Sequence, residues 1–355
     1  MESVVKDFSF FSGKRVLITG HTGFKGSWLT RMLVQAGADV TGYSLPPPTT
    51  PNLFSLIGVQ ERMTSVIGDV RDVQSLSKTF QQFEPEIVLH LAAQPLVRES
   101  YNNPRATYET NVMGTVNVLE CVRHASSVKS VLNVTTDKVY QNREWVWGYR
   151  ENEPLDGYDP YSNSKSCSEL VTHSYRASFF SGRNLPVSTA RAGNVIGGGD
   201  FSADRIIPDC IRAQLAHREI GVRNPHSTRP YQHVLEPLVA YLTIVQEQWE
   251  RPELSGYYNV GPNEEDCVTT ADLVSLFCKK WGDGAAWRDR SEFNAPHEAN
   301  FLKLDCSLIK KTFGWHPHWH IEQAIEQVCT WTKVWLAEGD IPGEMDRQIA
   351  LYLQN

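Results

Sequence analysis

The run Arg15-Val16-Leu17-Ile18-Thr19 is followed directly by Gly20-His21-Thr22-Gly23-Phe24-Lys25-Gly26. The first run is short and apolar, which is typical of a buried parallel strand, and residues 27–36 have the pattern of a helix. A strand, a glycine-rich turn and a helix in this order predict that backbone amides approach a diphosphate at the positive end of the helix. The spacing is Gly-x-x-Gly-x-x-Gly, a variant of the usual dinucleotide pattern. The alternative is a plain turn without a ligand.

Further segments continue the same alternation of short apolar strands and helices. We expect strands at 39–43, 65–70, 87–94, 130–135 and 186–191, and a long helix at 105–125. This order is that of an α/β fold with a doubly wound parallel sheet of the Rossmann type. In such sheets the ligand lies beyond the carboxyl ends of the strands. Gly20, Asp69, Ala92 and Thr136 all fall at those ends.

The second strand lacks the acidic residue that usually holds the adenine-side ribose of NAD. It ends with Tyr43 and Ser44 and runs into prolines, so Ser44 is left to supply one hydrogen bond. Asp69, at the end of the third strand, is placed to accept from an adenine amine. Lys25 and His21 add positive character near the phosphates. The missing acid weakens the prediction of NAD over NADP and predicts a modest cofactor affinity.

Residues 134–165 carry the side chains for acid–base chemistry. Thr136, Asp137 and Lys138 put a hydroxyl, a carboxylate and an amine together at a strand end. Tyr161 and Lys165 are four residues apart, so on a helix they share one face. A cation beside a phenol favours the phenolate and brings it toward the range of a general base. Such a pair is weak evidence alone and gains weight from the cofactor motif upstream.

The character of the chain changes after residue 191. Residues 192–200 read as a flexible polar loop, and short strands and helices follow, with helices expected at 236–249, 270–281 and 321–337. We expect a cofactor domain at 1–191, to which segments near 230–250 and 300–310 return, and a smaller substrate domain formed mainly by 192–355. Asn194, Arg205 and Arg229 are candidates for binding an anionic ligand such as a nucleotide diphosphate. Each is equally well explained as a surface group.

The composition is that of a globular enzyme. The 355 residues are 41% hydrophobic, and the net charge of −7 argues against nucleic-acid or membrane partners. No apolar run approaches twenty residues and no signal-peptide pattern is present, which predicts a cytoplasmic location. The seven cysteines are scattered without a Cys-x-x-Cys pair, and we expect reduced thiols.

Three histidines at 316, 318 and 320 imitate a metal site. No carboxylate or cysteine accompanies them in the sequence, and the intervening Pro317 and Trp319 suggest a packed turn. We expect no metal here.

The glycine motif, Leu91-Ala92-Ala93, Asn111, Tyr161-x-x-x-Lys165 and the run Arg229-Pro-Tyr-Gln-His-Val resemble the extended short-chain dehydrogenases/reductases that modify nucleotide sugars. The phrases Gly20 to Gly26, Thr136-Asp137-Lys138 and Arg229 to Pro237 are most similar to the 4,6-dehydratases of that family. The likeness covers roughly residues 12–335. Members acting on dTDP-glucose carry Thr-Asp-Glu at the position of Thr136-Asp137-Lys138, so Lys138 replaces a glutamate. The likeness favours a CDP-linked glucose.

The resemblance implies roles for particular residues. The cofactor NAD would be held by Gly20, His21, Thr22, Gly23, Phe24, Lys25, Gly26, Ser44, Asp69, Val70, Leu91, Ala92, Ala93, Tyr161 and Lys165. The nucleotide sugar would be held by Gln94, Asn194, Arg205, Arg229 and His233. Tyr161, helped by Lys165, would take the O4 proton, Thr136 would hydrogen-bond O4, and Asp137 would protonate the leaving hydroxyl at C6.

Three questions stay open at this level. The base that removes the C5 proton is either Lys138 or Asp137. The nearest alternative functions are a nucleotide-sugar 4-epimerase, which shares Tyr161 and Lys165, and a dehydratase of another nucleotide hexose. A non-catalytic cofactor-binding regulator is a further alternative, but it would be expected to have lost Tyr161 or Lys165. Helices at 105–125 and 161–180 suit a four-helix interface, so a homodimer or homotetramer is expected.

Overall fold

The structure, a computed structural model, describes residues 8–291 and 300–354. The strands within this part of the chain are β1 (Arg15–Thr19), β2 (Asp39–Ser44), β3 (Thr64–Ile67), β4 (Ile87–His90), β5 (Ser130–Thr136), β6 (Val187–Ala192), β7 (Val195–Ile196), β8 (Ile220–Val222), β9 (Thr228–Pro230), β10 (Gln232–His233), β11 (Tyr257–Val260), β12 (Cys267–Thr269) and β13 (Trp287–Asp289).

The helices of the same residues are α1 (Phe24–Gln35), α2 (Leu53–Leu56), α3 (Val73–Phe83), α4 (Val97–Asn102), α5 (Pro104–Tyr108), α6 (Gly114–His124), α7 (Pro160–Tyr175), α8 (Ile206–Leu215), α9 (Leu235–Glu250), α10 (Thr270–Trp281), α11 (Ser307–Phe313), α12 (Ile321–Leu336) and α13 (Ile341–Leu353). A π-helical turn, Glu109–Met113, joins α5 to α6. The predicted long helix at 105–125 is therefore one helix with a local bulge.

Seven strands form one parallel sheet in the order β11–β6–β5–β4–β1–β2–β3. Successive strands run outward from β1 to β3 on one side and from β4 onward on the other. The reversal between β1 and β4 opens a crevice above their carboxyl ends, which is where such sheets bind ligands. The predicted α/β fold with a doubly wound sheet is confirmed.

Alternate strand residues build the two core layers, because successive side chains of a strand point to opposite faces. Val16 and Ile18 pack with α1 and α9 on one face, while Leu17 packs with α3 and α6 on the other. A separate apolar cluster joins α8, α10 and α12 beside the sheet. The chain thus has a three-layer body and a smaller packed unit next to it.

Two expectations about the second half of the chain were not met. Strand β11 was expected in the smaller unit, but it pairs with β6 and ends the main sheet. Residues 192–200 were expected to form a flexible polar loop, but they are mostly buried and contain β7. A Cβ atom on Gly198 would lie 2.0 Å from the Trp331 ring, so the indole occupies the space that a side chain would need. The helix α13 had not been predicted.

A buried carboxylate fixes the C-terminal part to the body. Glu236, in the first turn of α9, is 0% exposed. It accepts hydrogen bonds from the backbone N–H groups of His318 and Trp319, at 3.0 and 2.7 Å, and from the Tyr352 hydroxyl at 2.5 Å. Burial raises the pKa of this carboxyl group to about 7. One side chain therefore joins α9, the turn before α12, and α13.

Within the described residues, every helix is too short or too polar to cross a membrane. The seven cysteines, all in this part of the chain, are unpaired thiols, as predicted.

Candidate functional site

One cavity of about 1010 Å³ lies over the carboxyl ends of the sheet strands. Gly20, Asp69, Ala92 and Thr136 line it, as the sequence predicted from their positions after β1, β3, β4 and β5. The opposite wall comes from residues of the second half of the chain, including Asn194, Arg205 and Arg229. The cavity therefore lies between the sheet and the smaller packed unit.

The glycine turn brings bare backbone to the cavity floor. Gly20 has φ +81°, and a Cβ there would lie 2.8 Å from the backbone nitrogen of Ala92. A Cβ on Gly26 would lie 2.1 Å from the carbonyl oxygen of Gly20. Helix α1 starts at Phe24, three residues before the predicted start, and no side chain caps it. Its first amides are thus left for a ligand, which suits the diphosphate of a dinucleotide.

Near the ends of β2 and β3 the cavity is lined by Ser44 and Asp69. Ser44 lines the cavity and shares a 2.9 Å hydrogen bond with the hydroxyl of Thr22. The carboxylate of Asp69 accepts from the guanidinium of Arg71 at 2.6 and 2.9 Å, and this bonding lowers the pKa of Asp69. Asp69 therefore has only part of its acceptor capacity left for an adenine amine. Val70 lines the same region.

His21 lies beneath the turn instead of lining the cavity. It is 0% exposed, and its Nε2 shares a 2.7 Å hydrogen bond with the Ser65 hydroxyl. A Cβ on Gly42 would lie 2.2 Å from the imidazole, so this ring occupies the space over β2. Burial lowers the pKa of His21 to about 4. The imidazole is therefore neutral at pH 7 and supports the turn without adding charge near a phosphate.

Lys25 lines the cavity from the first turn of α1. Burial, together with the charges of Arg205 and Lys165, lowers the pKa of its amine to about 7, against the opposite effect of Asp137 and Asp200. The cavity thus gathers positive groups from α1, α7 and the start of α8. Such a site suits a ligand that carries phosphates.

The turn after β5 presents a hydroxyl and a buried carboxyl group. The Thr136 hydroxyl donates to Oδ1 of Asp137 at 2.9 Å and accepts from the backbone N–H of Lys138 at 3.4 Å. Asp137 is 1% exposed, and its Oδ2 has no hydrogen-bond partner among the described residues. Burial raises the pKa of Asp137, against the lowering effect of the Lys138 charge. A carboxyl group in this setting is suited to hold a proton.

Tyr161 and Lys165 lie one turn apart on α7, and both line the cavity. Asp159 caps the helix by accepting from the backbone N–H of Ser162 at 3.0 Å. Lys165 donates to the carbonyl oxygen of Val134 at 3.1 Å, and burial lowers its pKa to about 8. Burial raises the pKa of the Tyr161 phenol to about 12.

The sequence predicted that Lys165 would help to lower the pKa of Tyr161, but other groups have this effect. The groups that lower the pKa of Tyr161 are Thr136 and Arg205, while the Asp137 carboxylate opposes them. The reason is geometric, because the Lys165 amine is directed to the Val134 carbonyl. With a pKa of about 12, the phenol is protonated at pH 7.

Asn111 ties the walls together from the π-helical turn. Its amide nitrogen donates to the Ser164 hydroxyl at 2.9 Å and to the Gln94 carbonyl at 3.1 Å, and its oxygen accepts from the Gln94 N–H at 2.8 Å. π-Helical turns often occur at functional sites. The side chain of Gln94, proposed for the substrate, donates to Thr107 at 2.9 Å and does not line the cavity.

The predicted substrate residues are distributed unevenly. Arg205 lines the cavity and pairs with Asp200 at 3.1 Å, while Arg229 is 2% exposed and lines it from β9. Leu91, Ala93 and Asn194 also line it. His233 is fully buried, with its ring 4.7 Å from that of Trp319, and burial lowers its pKa to about 3. His233 therefore serves the core and does not reach the cavity.

Several cavity residues were missed by the sequence. They are Pro46, Pro48, Asp200, Arg223, Asn224, Tyr231 and Thr270. Tyr231 lies within the quoted Arg229 run and could have been found from it. Pro46 and Pro48 directly follow β2 and could have been found from the end of that strand. The remaining four follow no local pattern, because their positions depend on how the small unit packs against the sheet.

The three histidines near residue 318 do not converge. His318 stacks on Tyr352 with ring centroids 5.0 Å apart. His320 instead lies beside two carboxylates, with its Nδ1 3.0 Å from Asp266 and 3.6 Å from Glu265. The sequence had not predicted these carboxylate neighbours. The imidazole is largely exposed, and its Nδ1 shares a hydrogen bond with the buried carboxylate of Asp266.

Comparison with known proteins gives a consistent result. Residues 17–328 match the family model described as GDP-mannose 4,6 dehydratase. The chain is 49% identical over 353 residues, 98% of each chain, to the CDP-glucose 4,6-dehydratase of Salmonella typhimurium.

Solved structures share the fold. The dTDP-glucose 4,6-dehydratase of Streptomyces venezuelae, solved with NAD and TYD bound, has a TM-score of 0.79 at 22% identity, over 92% of this chain and 99% of that one. The UDP-glucose 4-epimerase of Thermotoga maritima, solved with UDP-glucose, also has a TM-score of 0.79, at 20% identity over 91% and 99% of the two chains.

Proposed function

The chain belongs to the GDP-mannose 4,6 dehydratase family, and from that premise we propose that it converts CDP-D-glucose to CDP-4-dehydro-6-deoxy-D-glucose and water, with NAD as cofactor. The observation that carries the proposal is the set of groups at one end of the cavity. Tyr161, Thr136 and Lys138 line it, and the buried carboxyl group of Asp137 lies beside them with one oxygen unpartnered among the described residues. An elimination needs such an acid, whereas an epimerisation does not.

The residues near the glycine turn support NAD. The uncapped start of α1 and the close approach of Gly20 to Ala92 leave backbone amides for a diphosphate. When bound, NAD accepts a hydride from C4 of the sugar and returns it to C6. Because the end of β2 offers Ser44 in place of an acid, we expect a modest affinity.

The remaining steps fall to side chains of this chain. Tyr161 acts as a phenolate, after losing its own proton, and takes the proton of the C4 hydroxyl with Lys165 as its neighbour. Thr136 hydrogen-bonds the same oxygen. The C4 ketone then acidifies the C5 proton, which a base removes. Asp137 gives its proton to the C6 hydroxyl, which leaves as water. A proton is then returned to C5, and exchange with solvent removes the O4 proton from Tyr161 and restores the proton of Asp137, so the net change is the loss of one water.

The base at C5 is Lys138 or Asp137. Lys138 lines the cavity, whereas Asp137 is 1% exposed and burial raises its pKa, which suits it to the role of the acid. We therefore favour Lys138, with Asp137 as the acid. Arg205, Arg229 and Asn194 are proposed to bind the nucleotide diphosphate, since two guanidinium groups and an amide line one wall.

Three features outside the site belong to the same proposal. We propose a cofactor domain at 1–191 and a mainly substrate-binding domain at 192–355, with later segments returning to the first. We propose a homodimer or homotetramer, because Tyr108, Met113 and Leu170 are large exposed apolar residues on the α5–α6 and α7 surface.

We also propose a cytoplasmic enzyme of deoxysugar biosynthesis that supplies lipopolysaccharide O-antigen.

Incubation of the purified protein and NAD with CDP-glucose, dTDP-glucose, UDP-glucose or GDP-mannose tests the proposal. We expect a 4-keto-6-deoxy product from CDP-glucose, without net NADH, and with solvent deuterium at C5. A product that keeps its C6 hydroxyl and differs only in configuration at C4 would instead identify an epimerase.

A further inference from the structure

A buried ion pair lies one helical turn below the catalytic lysine. Glu169 follows Lys165 by four residues on α7, so the two side chains share one face. The Glu169 carboxylate pairs with Arg191 of β6 at 2.9 Å, and the side chains are 0% and 3% exposed. Ionised groups are rarely enclosed this completely unless they are paired and hydrogen-bonded.

Further hydrogen bonds hold the carboxylate in place. The hydroxyl of Thr135, which precedes Thr136, donates to one oxygen of Glu169. The hydroxyl of Thr189 donates to the other oxygen at 2.8 Å. Arg191 also donates to the Tyr140 hydroxyl at 2.9 Å. The cluster therefore fixes Glu169 relative to β5, β6 and α7, the elements that position the proposed catalytic groups.

We propose that Glu169 is a positioning residue whose negative charge, one helical turn from Lys165, keeps the Lys165 amine as an ammonium at the cavity wall next to Tyr161. This inference rests on the proposed function, in which Lys165 acts as an ammonium. If Glu169 were purely structural, its shape and hydrogen bonds would be sufficient and its charge would not be needed.

The charges around the pair support this assignment. Burial lowers the pKa of Lys165 to about 8, and Glu169 is the neighbour that opposes the change. Besides Tyr161, whose pKa burial raises to about 12, the titratable groups that interact with Lys165 are His90 of β4, whose pKa burial lowers to about 3, and Lys25 of α1. Neither supplies negative charge at pH 7. Tyr140 and Tyr257 face Glu169, and burial raises the pKa of both phenols, so they are neutral.

The test compares Glu169→Gln with Thr189→Val. The first removes the charge and keeps the shape, while the second removes one hydrogen bond to Glu169 and keeps the charge. If the inference holds, the basic limb of the pH–rate profile moves to lower pH by about one unit in Glu169→Gln. It stays in place in Thr189→Val, whatever that variant loses in thermal stability. Equal displacement in both variants would mean that packing alone matters and would overturn the inference.

A second readout does not depend on turnover. The Lys165 side-chain signal in ¹³C-lysine-labelled protein, assigned by its loss in Lys165→Met, reports the protonation of the amine directly. We expect it to titrate at lower pH in Glu169→Gln than in the unaltered protein. If Lys165 titrates at the same pH in both proteins, the inference is overturned, even if CDP-glucose is dehydrated. The proposed function is tested separately: it is contradicted if the unaltered protein dehydrates no nucleotide sugar. If Glu169→Gln does not fold, the double variant Glu169→Gln/Arg191→Met removes both charges of the pair. We expect the Lys165 titration in this variant to move in the same direction by a smaller amount. No shift in the double variant would overturn the inference.

Discussion

The hydroxyl of Thr136 donates a 2.9 Å hydrogen bond to one oxygen of Asp137, and the other oxygen of that carboxyl group has no partner among the described residues. Burial raises the pKa of Asp137. The arrangement leaves one oxygen able to carry a proton, while the neighbouring hydroxyl fixes the group at the cavity end of β5. A general acid for a poor leaving group needs both properties.

Asp137→Asn is expected to allow oxidation at C4 and to stop elimination of water. The amide keeps the hydrogen bond to Thr136 but has no acidic proton for the C6 hydroxyl. Product formation should fall by about 10² to 10⁴, and a reduced-nicotinamide absorbance band should build up with CDP-glucose. Asp156→Asn, an exposed change in the loop before α7, is the matched control. Dehydration by Asp137→Asn at the native rate would show that the acid lies elsewhere.

Tyr161→Phe is expected to block the first step. Without the phenol oxygen no group on α7 takes the O4 proton, so neither the ketone product nor the absorbance band should appear, with kcat lower by about 10² to 10⁴. The control is Tyr158→Phe, which alters an exposed tyrosine three residues earlier. Accumulation of reduced cofactor by Tyr161→Phe would contradict the assignment of Tyr161 as the base.

Lys138→Met separates the two candidate bases at C5. We expect the variant to oxidise C4 and yet to incorporate no solvent deuterium at C5, measured by mass spectrometry of the recovered sugar. Lys129→Met provides the control, since Lys129 is exposed just before β5 at the opposite end of that strand. Deuterium incorporation at the native level in Lys138→Met would transfer the role to Asp137.

Glu236→Gln is expected to change how stability depends on pH. The pKa of Glu236 is raised to about 7 by burial, so the proton it holds stabilises the fold at low pH. That contribution is complete below pH 4.5 and is lost as the pH rises through about 7. Relative to Glu236→Gln, the unaltered protein should lose about 2 to 3 kcal/mol of unfolding free energy between pH 4.5 and 8.

Urea unfolding of both proteins at the two pH values measures this difference, with the exposed Glu250→Gln at the end of α9 as control. The glutamine can keep the bonds to the backbone of His318 and Trp319 through its oxygen. Parallel stability curves for the unaltered protein and Glu236→Gln would mean that the carboxyl group does not titrate in this range.

The sheet and one edge of the site could be predicted from local sequence patterns. The six strands predicted up to residue 191 are confirmed within a few residues, because apolar runs and turn residues determine them locally. The positions of Gly20, Asp69, Ala92 and Thr136 followed from topology, since parallel strands end at one edge. The start of α1 was misjudged because Phe24, Lys25 and Gly26 were assigned to the turn.

Side-chain direction was the part that the sequence did not supply. His21 and His233 stand within motifs that border the site, yet both rings point into packed interiors where burial keeps them neutral. The Lys165 amine faces a backbone carbonyl. The role of Asn111 depends on a π-helical turn that no periodicity marks. Each of these depends on contacts between segments far apart in the chain.

Strand β11 has a consequence for biosynthesis. Until Val260 has left the ribosome, β6 remains an unpaired edge, and α9, which covers the same side of the sheet, has only just emerged. A nascent chain of this length exposes a row of unsatisfied amides and carbonyls to other strands. Nearly three quarters of the chain must therefore be translated before β11 can pair with β6 and complete the sheet. Premature termination would release an aggregation-prone fragment in place of a small cofactor-binding protein.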